Sequence, residues 1–470
     1  MLINRRQLLT QASLGIGALA LGDMMNSSSV AAPAVPRSAG SLAPRSPHHE
    51  PKAKSVIFLY MDGGVSQVDT FDPKPLLAKE NGKKPKFKID ATVFNNIGNL
   101  LKSPWRFERR GECGMPISEL FPHLGTCADD LCVIRSMSGP VPDHPNANYA
   151  LHTGYAMHGK PSMGAWISYG LGTENRDLPG FVVIHGGQVP SGGVACFANG
   201  FLPANYQGSI FLPTSPSVRN IKSRDASEEI RQRKLEYLRE FDRDLVEQVE
   251  AGDAIEAAIA NYELAFRMQR AVPEAMDLNQ ETQATKRLYG LESDYKFTQM
   301  YGAQCILARR MVERGVRFIQ ITIPKKPGVD RWDQHSNLVK GHQKNALTVD
   351  QPISALIKDL KQRGLLDSTL LVFTGEFGRT PFAQGKNGRD HNPQGFSMWL
   401  AGGGSRGGTV YGATDEYGYR AVENKLTQHD LHANILHLLG IDHERLTYRY
   451  SGRDFRLTDI HGRIIPEILA

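Results

Sequence analysis

Val56-Ile57-Phe58-Leu59-Tyr60-Met61 runs directly into Asp62-Gly63-Gly64. Six residues without polar alternation, closed by a carboxylate and two glycines, read as a strand buried on both faces of a parallel sheet and ending in a tight turn. Runs of the same character recur at Leu131–Ile134, Phe181–Ile184, Val316–Ile323, Thr369–Phe373 and Met398–Leu400. Amphipathic helices lie between them. Ala346–Arg363 carries Val349, Ile353, Leu356, Ile357 and Leu360 at three- and four-residue spacing and stops before Gly364, a natural residue for a helix C-terminus. Asp430–Leu439 is preceded by Thr427, with Asp430 placed to complete a capping box. The charged stretch Glu228–Arg314 reads as two or three helices inserted at about residues 224–318 between the halves of the sheet. The expected fold class is therefore α/β, a central, mostly parallel sheet sandwiched by helices, with a helical insertion.

Parallel sheets bind ligands at the carboxyl ends of their strands, so the residues just past each apolar run are informative. Asp62 comes after the first run, Asp143-His144 after the second and His185 after the third. Asp333-Gln334-His335 and Thr374-Gly375-Glu376 come after the next two, and Arg389-Asp390-His391 precedes the last. Mixed carboxylate and imidazole sets suit Zn, Mn or Fe, whereas all-oxygen sets suit Ca or Mg. Each motif also has a plain structural reading. Asp62 starts a turn, Glu376 pairs with Arg379, Asp390-His391 caps a turn, and His185 packs as a core histidine.

The 470 residues carry 55 Lys+Arg against 49 Asp+Glu, a net charge of +6 without long basic runs, which leaves no electrostatic footprint for nucleic acid. With 40% hydrophobic and 22% charged residues the chain is globular rather than disordered. The opening segment resembles a bacterial twin-arginine (Tat) export signal: Arg5-Arg6, a short apolar run over Ala12–Leu21, and Ser29-Val30-Ala31 before a cleavage point. That run is too short for a stable membrane span. Residues 1–31 are thus expected as a signal peptide recognised by the Tat machinery and 32–51 as a disordered linker. The folded domain is expected over 52–470, in the periplasm or outside the cell. Five cysteines in an oxidising compartment suggest one disulfide, Cys113 with Cys127 or Cys132.

The order of motifs resembles the alkaline phosphatase/sulfatase superfamily and, more closely, the DUF1501 family of exported, sulfatase-like proteins. The resemblance is carried by Tyr60–Gly64 with Asp69-Thr70-Phe71-Asp72-Pro73, by His144-Pro145-Asn146-Ala147-Asn148 with Thr153-Gly154, and by Trp332–His335. Phe373–Pro381, Gly388–Pro393 and Gly452–Phe455 continue it. It implies a metal-dependent hydrolase of sulfate or phosphate esters acting on a small anionic ester or a sulfated glycan. One or two divalent ions are expected, Zn, Mn or Fe ahead of Ca. Asp62, Glu376 and His144 are implied for one ion, and Asp333, His335 and His391 for a second, with His429 a weaker alternative to His391. The sulfatase nucleophile signature is absent: His144 stands at that position and Asn148 where an arginine is expected. His144 is then either a metal ligand, leaving activated water to attack, or itself the nucleophile. Arg379 or Arg389 either grips the substrate anion or pairs with a carboxylate. The alternative from another class is a binding or scaffold protein that keeps the fold without catalysis.

Overall fold

Strand β1, Ser55–Tyr60, sends Ile57 and Leu59 into one apolar cluster and Val56, Phe58 and Tyr60 into another. This period-two division, with every residue buried, is what a strand in the middle of a two-faced sheet requires. The computed structural model describes residues 42–90, 96–213 and 252–470, with parts of 217–240. The remaining strands of the main sheet are β2 (Leu131–Ser138), β3 (Phe181–Ile184), β4 (Ser209–Phe211), β5 (Phe318–Thr322) and β6 (Thr369–Thr374). After a hairpin of β7 (Gly378–Gln384) and β8 (Gly388–Asn392) come β9 (Phe396–Ala401), β10 (Thr409–Tyr411) and β11 (Leu426–Thr427).

The nine-stranded sheet has the order β10-β2-β9-β6-β1-β5-β3-β4, with β11 also paired to β2. Neighbours are parallel except at β9, which is antiparallel to both β2 and β6. All six apolar runs read from the sequence lie in this sheet. Its covering helices include α1 (His144–Thr153), α2 (Met163–Leu171), α3 (Gly252–Met276), α4 (Lys296–Glu313), α5 (Leu338–Gln362) and α6 (Gln428–Leu438).

Three expectations change. The helical stretch near 224–318 is not wholly an insertion: α4 buries Tyr301, Cys305, Ile306, Ala308 and Met311 and is the crossover into β5. Much of 219–251 falls outside the described residues. The supposed linker is fixed at its C-terminal end, because Arg45, His48, His49 and Lys52 donate backbone N–H groups to the carbonyls of Leu171, Gly440 and Leu438 at 2.8–3.2 Å. Its earlier part and the export segment lie outside the described residues. Finally, all five cysteines are free, Cys113 exposed and the other four buried. Among the described residues no helix is long and apolar enough to cross a membrane.

Candidate metal centre

The site lies where the parallel strands end. After β1, Gly63 and Gly64 adopt φ of 109° and 82°. A Cβ on Gly63 would stand 2.6 Å from both Arg331 Cγ and the Trp332 backbone nitrogen, so glycine lets the loop after β5 close over the end of β1. That loop carries Asp333 and His335. His144 opens α1, whose N-cap Asp143 accepts from the Asn146 N–H at 3.2 Å. His391 arrives on β8, opposite Arg379 in the hairpin. Because β9 runs antiparallel, its starting end lies at the carboxyl edge of its neighbours, and the preceding hairpin is delivered there too.

One ligand atom from each of His144, Asp333, His335 and His391 lies within 4.8 Å of the other three. The Nε2 atoms of His144, His335 and His391 are 3.2, 2.9 and 3.2 Å from the Asp333 carboxylate. Each ring's other nitrogen faces an oxygen: Nδ1 of His144 meets Glu376 Oε1 at 2.5 Å, Nδ1 of His391 meets the Pro142 carbonyl at 2.5 Å, and Nδ1 of His335 meets Gln384 Oε1. Metal-ligating histidines are held in this manner, the outer N–H fixing the tautomer while the inner nitrogen faces the ion. Nε2 of His144 is buried without an aligned hydrogen bond. The donor set fits a divalent ion.

Asp62 and Glu376 stand beside this group, outside the four. Glu376 accepts from the Gly63 N–H at 2.9 and 3.1 Å, and Asp62 pairs with Arg331. The Tyr60 hydroxyl lies 3.1 Å from Asp62, 3.0 Å from Glu376, and against Asn148. In the set expected for the first ion, Arg331 meets the Asp62 charge and His144 pairs with Glu376, and His144 joins these carboxylates to the Asp333 group. Arg379 has no exposed side-chain surface. It donates to Asp333 and to the Gly63, Gly64 and Arg389 carbonyls, which makes it a support for Asp333 rather than an open anion clamp. Arg389 is buried against Asp69 at 2.7 and 3.0 Å and does not face the site.

Residues 53–469 match the family described as "Protein of unknown function (DUF1501)". The chain belongs to that family. No curated protein matches it. Among solved structures, this DUF1501 member is similar to a sulfatase from Pseudoalteromonas sp. with 13% identity and a TM-score of 0.36, over 84% of this chain and 68% of that one. It is also similar to a protein in the alkaline phosphatase superfamily from Vibrio parahaemolyticus, with 10% identity and a TM-score of 0.35, over 86% and 70% of the two chains.

The electrostatics of the DUF1501 site come from burial set against close charged partners. Burial opposes ionisation of Asp333, but Arg379 and the three histidines win and hold its carboxyl well below the ordinary range. For His144 burial favours the neutral ring, yet Asp333 and Glu376 together push its pKa up to about 9. His391 is pushed down to about 4 by burial, with Arg379 and His144 acting in the same direction against Asp333. Asp62 is raised to about 7 by burial and the Glu376 charge, against Arg331. Glu376 is lowered: burial resists, and His144 prevails.

His185 lies outside the four, its Nδ1 accepting from the Gly187 N–H at 3.0 Å, and His429 bonds the Gly154 carbonyl at 2.7 Å. Sequence reasoning missed Arg331, although it directly precedes Trp332-Asp333. It also missed Gln384, which no local motif marks because its role depends on the hairpin register.

Proposed function

We propose that this chain is an exported, metal-dependent hydrolase of sulfate or phosphate esters, with one divalent ion held by His144, Asp333, His335 and His391. The observation that carries the reading is the convergence of three imidazole Nε2 atoms on one carboxylate, with each Nδ1 fixed by an oxygen. A divalent ion bound there supplies Lewis-acid stabilisation of an ester oxygen. The chain's residues do the rest. Glu376 orients His144, Arg379 holds Asp333, and Gln384 and the Pro142 carbonyl set the other two rings. Cys196, buried near Asp62 and Glu376, has its thiol pushed well above the usual range by burial and by those carboxylates, which removes it as a nucleophile. In this reading water is the attacking group, and His144 serves as a ligand because its Nε2 faces Asp333 together with those of His335 and His391. Zn, Mn or Fe is preferred over Ca because three of the four donors are imidazoles. The substrate is a small anionic ester or a sulfated glycan. Arg5-Arg6 and the adjoining apolar run support delivery by the Tat machinery to the periplasm or cell exterior.

Elemental analysis of purified protein tests this. About one equivalent of Zn, Mn or Fe is expected, falling below roughly a tenth of that in His391→Ala and Asp333→Ala, since removing a first ligand or its support costs 10- to 100-fold or more in affinity. Absence of metal, with no thermal shift on adding any of the three, would sink the hydrolase reading. It would promote a non-catalytic binding protein, the reading that the missing Ser, Thr or Cys nucleophile favours.

A further inference from the structure

A larger cavity, of about 540 Å³, lies on the other side of the loop that leads into His144. The cleft that Asp333 and His335 themselves line measures only about 270 Å³, room for a reacting group and little more. Ser138, Gly139 and Pro140 form one wall of the larger cavity, and two residues on the Pro142 carbonyl holds His391 of the metal cluster. Lys425, His429, His461 and Arg463 contribute basic groups to its lining, against a single acid, Asp430. Asp430 is already engaged: it accepts from Arg463 at 3.1 Å and from the Thr427 N–H at 2.8 Å. Lys425 has no carboxylate partner among the described residues. The His429 and His461 rings lie 4.9 Å apart, and because His429 already bonds the Gly154 carbonyl and Arg463 pairs with Asp430, the cavity offers Lys425 and the His461 imidazole to whatever enters it.

We propose that this cavity is an anion-binding subsite that receives a second sulfate or phosphate group of an extended, multiply charged substrate. The inference rests on reading the metal cluster as the reaction centre. The cavity wall at Pro140 is two residues from Pro142, whose carbonyl bonds His391, so the cavity adjoins the cluster along the loop that leads into His144. A ligand that occupies both carries a second anionic group beside the reacting ester.

Calorimetric titration of the full chain with a heparin tetrasaccharide and, separately, with tripolyphosphate tests the proposal at two salt concentrations. The comparison is between the wild type and the Lys425→Ala/His461→Ala double variant, with metal content measured on both. The subsite predicts that at least one probe binds. Its affinity should fall at least fivefold in the variant, with a weaker salt dependence and unchanged metal content. Whichever probe responds identifies sulfate or phosphate as the preferred group. Equal affinity and salt dependence in the two proteins, or no binding of either probe to the wild type, would overturn it. A protein that holds no metal yet still loses probe affinity in the variant would keep the subsite and remove the metal-centre reading instead.

Discussion

Arg379 and Arg389 stand ten residues apart on the hairpin, both without exposed side-chain surface, and their donors serve different ends. Arg379 ties Asp333 to the carbonyls of the Gly63-Gly64 turn, so the Asp333 carboxylate and the end of β1 are held by one planar group. Arg389 forms a two-pronged pair with Asp69 and also donates to the Thr380 and Leu101 carbonyls at 3.0 Å. Asp69→Ala leaves that guanidinium buried and uncompensated. It should lower stability by about 3–5 kcal/mol, as broken buried pairs do, read as a lower midpoint in denaturant unfolding. A change below about 1 kcal/mol would show that the pair is not held as described. Both arginines are visible in the sequence as basic residues near acidic motifs. Their partners are not, since Asp69 lies 320 positions from Arg389.

At the scale of elements, local signals suffice for the strands buried on both faces and for some helix ends. The capping box at Thr427 and Asp430 is present, and Gly364 takes a φ of 68° after α5. The start of α5 is not legible in the sequence. The helix begins at Leu338, eight residues before the periodic stretch, because its first turns pack on the loop that carries Asp333 and His335, where Gly341 lies against the Gln334 side chain. The segment before β1 departs from its sequence reading for a related reason. Its Pro, Ser and His composition describes a chain with no core of its own, whereas its order comes from backbone bonds to the ends of α2 and α6. A chain beginning at residue 54 should therefore unfold at a lower temperature than one beginning at residue 42. The expected loss is a few kcal/mol, about 1 kcal/mol for each backbone hydrogen bond removed. Equal midpoints would mean that the segment is only loosely applied.

Across the whole molecule, three buried histidines outside the Asp333 cluster contribute to acid sensitivity. His152, His342 and His432 are fully or almost fully buried, and burial is the main cause holding their pKa values down to about 4, 3 and 3. The unfolded chain takes up protons at these rings near pH 6.5 and the folded one does not. Stability is then fully present above about pH 6.5 and is lost as pH falls from there toward 4, with up to about 1.4 kcal/mol per unit for each ring. Stability measured from pH 7 to 4.5 should show this slope, and His432→Gln should reduce it by about one proton. An unchanged slope would exclude His432 as a contributor. The sequence by itself determined the α/β class, six of the nine strands of the main sheet and the positions where chemistry-bearing residues occur, because burial on two faces and strand-end turns leave local marks. The tertiary structure alone decided which of those residues meet. The antiparallel β9 brings the hairpin and His391 to the carboxyl edge of the sheet, His144 reaches the Asp333 group, and Arg331 and Tyr60 hold Asp62 and Glu376 beside it. Strand order and direction are set by long-range packing, which leaves no periodic trace in the local sequence.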